Sequence, residues 1–471
     1  MNKNTPDSQK PKSGYQVRRS AMTRKEAAKR TVLRPDARTA PLPPEPILPK
    51  QQEGETQAAE RAPLASGNIR VGSIPQKQPQ KKRRRTRTDF IKPTDVVRVK
   101  GSYDRVFLIL VIVLTLFGII MDFSASYPSA FSKYGDSFYY VKRQIAFAVI
   151  GMVGLAIAMH FDYRWLRKAT VPVFLVSILL LFAVLGYGVA SGIAQRWIRI
   201  GSFTIQPSEI MKFSLVIILA LYTARNQDRI TNYRNFRQSS AYGFFIPALI
   251  VASVCILVAL EKHFSGTIIL FLIGMLMIFV SGAHKRWFFI FGIPAVVLIL
   301  GVILLVPYAR DRVLMFLNPE NYPLTGGIWQ TVQGLYAVGS GGLFGVGLGN
   351  SRQKHLYVPE PQNDFIFAII AEELGFAGAV LLIILFMLLI WRGFVIAMKA
   401  PDTFSSLVVI GLISKVAIQA LLNIAVVTNT IPNTGISLPF FSYGGTALLM
   451  QLGEMGIILS ISRYSYQRDP N

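Results

Sequence analysis

The sequence is poorest in the groups from which soluble enzymes build charged surfaces and thiol chemistry. It has one cysteine, Cys255, set inside an apolar run, so neither a disulfide framework nor a thiolate metal cluster is available. Its four histidines are scattered without ligand spacing. Charged residues make up only 16% of the chain, where a soluble protein carries roughly 25%. Acids are the scarcer sign: 25 Asp and Glu stand against 50 Lys and Arg, a formal charge of +25. These shortages argue against an ordinary soluble globular protein. What is abundant is hydrophobic sequence, 52% of the chain, arranged in repeated runs of about 20 residues, the length of a membrane-crossing helix.

About half of the bases fall in residues 1–100, a stretch rich in Pro, Gln, Lys and Arg, with PLPPEPILP at 41–49 and KKRRRTR at 81–87. It shows no helical or strand periodicity and cannot bury a core, so a disordered tail is expected. It lacks the apolar segment of a signal peptide and is expected to be retained. A basic run beside a first span reads as a cytoplasmic topology determinant, which can also hold anionic lipid or an acidic partner. No aromatic interleaving or nucleic-acid fold accompanies the charge, so nucleic acid is not an expected partner.

Residues 101–471 read as an all-α polytopic membrane domain. Ten transmembrane helices are expected, near 106–125, 144–160, 170–189, 207–223, 243–260, 266–282, 287–307, 365–391, 404–427 and 443–462. Basic clusters at 164–168, 225–237 and 284–286, with Arg392, Lys399 and Arg463, all fall on one side. That asymmetry places both termini inside. Outer loops are then expected near 126–143, 190–206, 308–364 and 428–442. The long fourth extracellular loop, 308–364, is large enough to fold onto the membrane surface. It includes a short amphipathic helix candidate from Trp329 to Leu335, and GGLFGVGLGN at 341–350. No strand precedes that GxGxG, so a dinucleotide site is not expected. A tight turn and a phosphate-binding set of N–H groups both remain open.

Several polar residues sit where a bilayer makes them costly. Gln206-Pro207-Ser208-Glu209 opens the fourth helix, a proline start signal, and Lys212 shares a face with Glu209; a local ion pair and a cavity wall are both consistent with this. Arg196 and Trp197 are an interface anchor or a head-group clamp, for which a guanidinium is suited. His263, after Glu261 and Lys262, reads as a capping or hydrogen-bonded residue. Lys415 and Glu454 lie near the middle of the ninth and tenth spans. They are expected to pair directly, or through a cluster with Gln419, Asn423 and Gln451, and to register the helices. Residues 433–449, broken by Pro and Gly, should line a cavity or be buried by protein. Asp364 stands at the mouth of the eighth span, with Ala368 and Glu372 at i+4 and i+8 on one helix face. It is a helix N-cap or a positioned acid.

RWI at 196–198, QPSE at 206–209, GGLFGVGLGNSRQKHLYVPEPQNDFIFAIIAEELGF at 341–376 and TGISLPFFSYGG at 434–445 together resemble the SEDS family, the polytopic proteins of bacterial shape, elongation, division and sporulation. The resemblance spans residues 104–463. It is nearest to the division branch, with the sporulation branch close behind and the rod-elongation branch less alike in the long loop. It implies ten transmembrane helices and a peptidoglycan glycosyltransferase acting on lipid II at the outer face of the cytoplasmic membrane, at the division septum. The family's catalytic aspartate falls on Asp364, and Trp197, Glu209 and Lys212 match its other motif positions. A class B penicillin-binding protein, the transpeptidase, and other division proteins are the implied partners, beside membrane lipid. Asp364 is expected as general base. Arg196 and Lys212 are candidates for the leaving diphosphate, with Glu209 holding Lys212. A Mg or Mn ion fits that chemistry, although no metal-cage motif places it. Glu372 and Glu373 are expected as structural polar groups behind the site, with Glu372 the one that faces it. The chain departs from the family at Glu261-Lys262-His263, where Pro-Asp is common, at Asn433, where a hydrophobic residue is common, and at Thr446, where Ser is. A lipid II flippase or transporter and a non-catalytic division scaffold are the alternative functions.

Overall fold

The computed structural model describes residues 96–468, apart from 188, 192–193, 201–202, 306–309, 311–312, 315 and 319–325. The tail expected over 1–100 therefore lies outside the described residues as far as residue 95. The end of that stretch is not aperiodic: Val96–Lys100 forms strand β1 and pairs antiparallel with β5 (Tyr464–Arg468).

Each of the ten expected spans falls on a helix. In chain order these are α1 (Arg105–Tyr134), α2 (Tyr139–His160), α3 (Tyr163–Tyr187), α4 (Pro207–Ile230), α5 (Phe236–Leu260), α6 (Phe264–Val280) and α7 (Lys285–Leu305), then α9 (Ile366–Met398), α10 (Thr403–Val427) and α11 (Gly445–Ser462). The amphipathic candidate in the long loop is α8 (Gly326–Ser340). Among the described residues, eight helices are long and apolar enough to cross a membrane, and α6 is a shorter apolar helix. The protein is an all-α polytopic membrane protein. Exposed Ile157, Leu179 and Leu249 belong to apolar faces that lipid, not water, would cover. The centre is α4 and α10, whose apolar windows are 72% and 67% buried against 22% for α3.

Caps and charges fix the helix ends. Asp104 accepts from the Phe107 N–H at 3.0 Å, satisfying one donor of the first turn of α1. Arg392 on α9 donates to the same carboxylate at 2.9 Å, tying the two helices together. Pro207 stands at the first turn of α4, as the start signal predicts.

Two departures from the expected arrangement shape the side of the molecule that carries the long loop. Residues 190–206 are not irregular: β2 (Val189–Ser191), β3 (Ala194–Ile200) and β4 (Phe203–Ile205) form an antiparallel meander, and β3 carries Arg196 and Trp197. The second is a break in α9. At Gly375 the backbone has φ 68° and ψ −169°, a conformation open to glycine and few others, so the helix loses its hydrogen bonds there. The glycine loop replaces them. Val346 N–H donates to Glu372 O and Gly347 N–H to Glu373 O, while Phe376 and Ala377 N–H groups donate back to Gly342 and Leu343 carbonyls, all within 3.0 Å. Of the two readings of 341–350, the close-packed turn is the one observed.

Candidate active site

Asp364, Arg196, Trp197, Glu209 and Lys212 line one cavity of about 800 Å³, a volume typical of small-molecule sites. The meander contributes Arg196 and Trp197, the start of α4 contributes Glu209 and Lys212, and the loop before α9 contributes Asp364. The broken segment 433–445 forms another wall through Gly435, Ser437, Leu438 and Tyr443, and Arg143 of α2 joins it.

Asp364 is not a helix cap. Phe365 is the N-cap residue of α9, and it makes no side-chain capping bond. The helical face expected to run from Asp364 through Ala368 to Glu372 therefore begins one turn later. Asp364 instead belongs to the loop and is held by its neighbours. Its carbonyl accepts from Asn423 Nδ2 at 2.7 Å, and the same amide donates to Ile436 O at 2.6 Å, joining α10, the loop and the broken segment. Its carboxylate accepts from Gln330 Nε2 of α8 at 3.3 Å. Gly435, at φ +66°, lies so close that an added Cβ would stand 3.4 Å from Asp364 Oδ2. Burial pushes the Asp364 carboxyl up to about 6; its own backbone N–H and Gln330 oppose this and the Glu360 charge adds to it. Such a group changes protonation near neutral pH.

The cationic side of the cavity sets one matched ion pair beside a less fully bonded arginine. Lys212 Nζ lies 2.7 Å from Glu209 Oε1, with both side chains nearly buried. Arg196 donates to Lys262 O at 2.9 Å, and its Nε has no partner among the described residues. Glu261 stands beside it with both carboxylate oxygens unpartnered among those residues; burial raises it to about 7 and Arg196 holds it back. His263 shares a hydrogen bond of 3.2 Å with Ser208, as expected for a bonded rather than ligating histidine. Burial pushes it down to about 4, aided by Arg196 and Lys212, so it is neutral at pH 7.

The acids beyond Asp364 are structural, as expected, but Glu372 does not face the site. Glu372 does not line the cavity; it accepts from Ser351 Oγ and from the Arg352 N–H at 2.9 Å, anchoring the long loop. Glu373 pairs with Lys354 at 2.6 Å, both fully buried, and accepts from Ser124 Oγ of α1. Lys415 and Glu454 pair directly at 2.5 Å. Asn423 is not in their cluster, being used at Asp364, while Gln419 and Gln451 line the cavity.

Two site residues escape the sequence. Gln330 lies in the amphipathic helix candidate, where no spacing reveals its partner. Arg143 left one signal, a base at the end of a span on the side expected to be poor in them. Among the described residues no three His, Cys, Asp or Glu side chains come together as a metal-binding set.

Comparisons with known proteins place the chain among relatives of one family. A family described as cell cycle protein, FtsW/RodA/SpoVE, matches residues 104–467. Stage V sporulation protein E of Bacillus subtilis is 42% identical over 78% of this chain and 98% of its own length. The probable peptidoglycan glycosyltransferase FtsW of Trichlorobacter lovleyi is 41% identical over 77% of this chain and 93% of its own length. Among solved structures, rod shape determining protein RodA of Thermus thermophilus aligns with a TM-score of 0.56 at 25% identity, covering 78% of this chain and 98% of that one. A chain from a peptidoglycan synthase complex, described for its structural coordination of polymerization and crosslinking, aligns at 0.65 and 27% identity, covering 78% and 99%. With the family matched across the whole membrane domain, and with relatives above 40% identity along nearly their full length, the chain belongs to the FtsW/RodA/SpoVE family of cell cycle proteins.

Proposed function

We propose that this protein is a peptidoglycan glycosyltransferase that polymerises lipid II, with Asp364 as general base. The observation that carries this reading is one cavity in which a carboxyl raised to about 6 stands with Arg143, Arg196 and Lys212. In the reaction a sugar hydroxyl of the acceptor attacks the anomeric carbon of the donor. The new C–O bond forms as the bond to the diphosphate breaks. The hydroxyl proton passes to Asp364, and the electron pair leaves on the polyprenyl diphosphate. A hydroxyl is a weak nucleophile, so a base poised near working pH is useful. The departing diphosphate gathers negative charge, which Arg196 and Lys212 neutralise in a site shielded from bulk water. Glu209 orients Lys212, and Trp197 walls the sugar region. Phe147, Ile150 and Leu448 line the cavity as well and give the lipid tail an apolar flank.

Both termini face the cytoplasm in this reading, which puts Asp364 and the cavity at the outer face, where lipid II is used. Lys415 and Glu454, the charges a transport path would need, are paired with each other, which favours polymerisation over transport. The enzyme works at a septum with a class B penicillin-binding protein that crosslinks the strands it makes. The test is glycan polymerisation from lipid II by purified Asp364→Asn, which keeps volume and loses basicity. A folded variant with wild-type turnover would exclude Asp364 as the base. Co-purification with the transpeptidase, followed by lipid II polymerisation with and without it, tests the partnership.

A further inference from the structure

The amide chain that ends on Asp364 has a defined direction. Gly435 N–H donates to Asn433 Oδ1 at 3.1 Å, which turns the Asn433 amino group away from it. That amino group donates to Gln330 Oε1 at 3.4 Å. With its oxygen engaged there, Gln330 presents Nε2, which donates to Pro359 O at 3.2 Å and to Asp364 Oδ1 at 3.3 Å. An amide has one acceptor end and one donor end, so a backbone N–H at Gly435 fixes which end of Gln330 meets the carboxylate.

We infer that Gln330, oriented by Asn433, is a positioning residue that holds the Asp364 carboxylate in its ionised, proton-accepting form. The inference rests on the reading of Asp364 as the base. A flipped Gln330 would offer its carbonyl oxygen to the carboxylate and favour the protonated acid, which accepts no proton. The charged groups facing Asp364 are few. Glu360, on the same loop, is paired with Lys133 at 2.8 Å. Arg143, Arg196 and the Glu209–Lys212 pair stand around the cavity with His263, which is neutral above about pH 4. None of these is altered by substitution at Gln330 or Asn433.

The experiment follows lipid II polymerisation by the purified full-length protein from pH 5.5 to 8.5, with a melting temperature for each variant. An N–H donated to a carboxylate favours its charged form, so Gln330→Leu should move the acidic limb up by about one pH unit. The rate then falls about fivefold at pH 6 and hardly at all at pH 8. Gln330→Glu, nearly isosteric, should move the limb further in the same direction by adding a second carboxylate, and it decides the matter if the leucine variant melts early. Asn433→Leu should shift it the same way by less. An acidic limb unmoved in both Gln330 variants, with Asp364→Asn inactive, would overturn the positioning role and leave the base standing. Wild-type turnover by Asp364→Asn would overturn both.

Discussion

Asp364 and Glu373 stand at either end of the segment that passes from the outer loop into α9, and their surroundings differ in kind. Glu373 is fully buried and fully matched: Lys354 Nζ lies 2.6 Å away, Ser124 Oγ donates at 2.6 Å and the Ser351 N–H at 3.3 Å. Asp364 is half-buried in a cavity wall, with one side-chain bond of 3.3 Å from a neutral amide and no ion pair among the described residues. A buried charge whose lone pairs are all used is a strut. A carboxylate with lone pairs open to a cavity, and a raised pKa, is free to take a proton. The difference separates structural acids from chemical ones on a single stretch of chain.

The largest expected effect breaks the chemical side of that comparison. Asp364→Asn should lower lipid II polymerisation by roughly 10²–10⁴-fold, the usual range for a general base, with the melting temperature nearly unchanged. The wild-type rate should also fall below about pH 6, where Asp364 becomes protonated.

The structural side should break in the opposite sense. Lys354→Met leaves Glu373 buried and uncompensated, at an expected cost of about 3–5 kcal/mol of stability. The double variant Lys354→Met/Glu373→Leu should recover most of it. The same cycle at Lys415 and Glu454, also matched and buried, should give the same pattern if it is burial with a partner, not location in the outer loop, that defines the strut. Thermal unfolding in detergent reads both cycles. A double variant as damaged as its single would show that the pair is not what stabilises that site.

How far each acid was legible follows from the physics that decides it. The spans show in the sequence because a bilayer imposes a length on apolar runs, and the Lys415–Glu454 pair shows because two charges at membrane depth need a partner. Asp364 as cap or as acid could not be told apart by spacing, since a cap is defined by backbone angles that the sequence does not display. The break at Gly375 was hidden for another reason: the bonds that replace its helical ladder come from 342–347, distant in sequence. Lys354 reads as a solvated loop lysine, and only the tertiary fold buries it against α1. The meander at 189–205 is too short and too mixed in pattern for a period-2 signal to rise above its flanking loops.

The smallest effect sharpens the comparison most, because it changes the charge near Asp364 while leaving the carboxylate and its amide partner in place. Glu360 raises the Asp364 carboxyl and is itself half-exposed and paired with half-exposed Lys133 at 2.8 Å. Such a surface pair is worth about 0–1 kcal/mol, so neither partner's removal should move the melting temperature far. The two removals should nonetheless act on catalysis with opposite sign. Glu360→Gln takes away a like charge, lowers the Asp364 pKa and extends activity to more acidic pH. Lys133→Ala leaves Glu360 uncompensated, raises that pKa and pulls the acidic limb up. Each shift should be a few tenths of a pH unit and shrink as salt is raised, since water and ions screen exposed charges. Opposite shifts at equal stability would show that Asp364 responds to its electrostatic surroundings as a titrating base does.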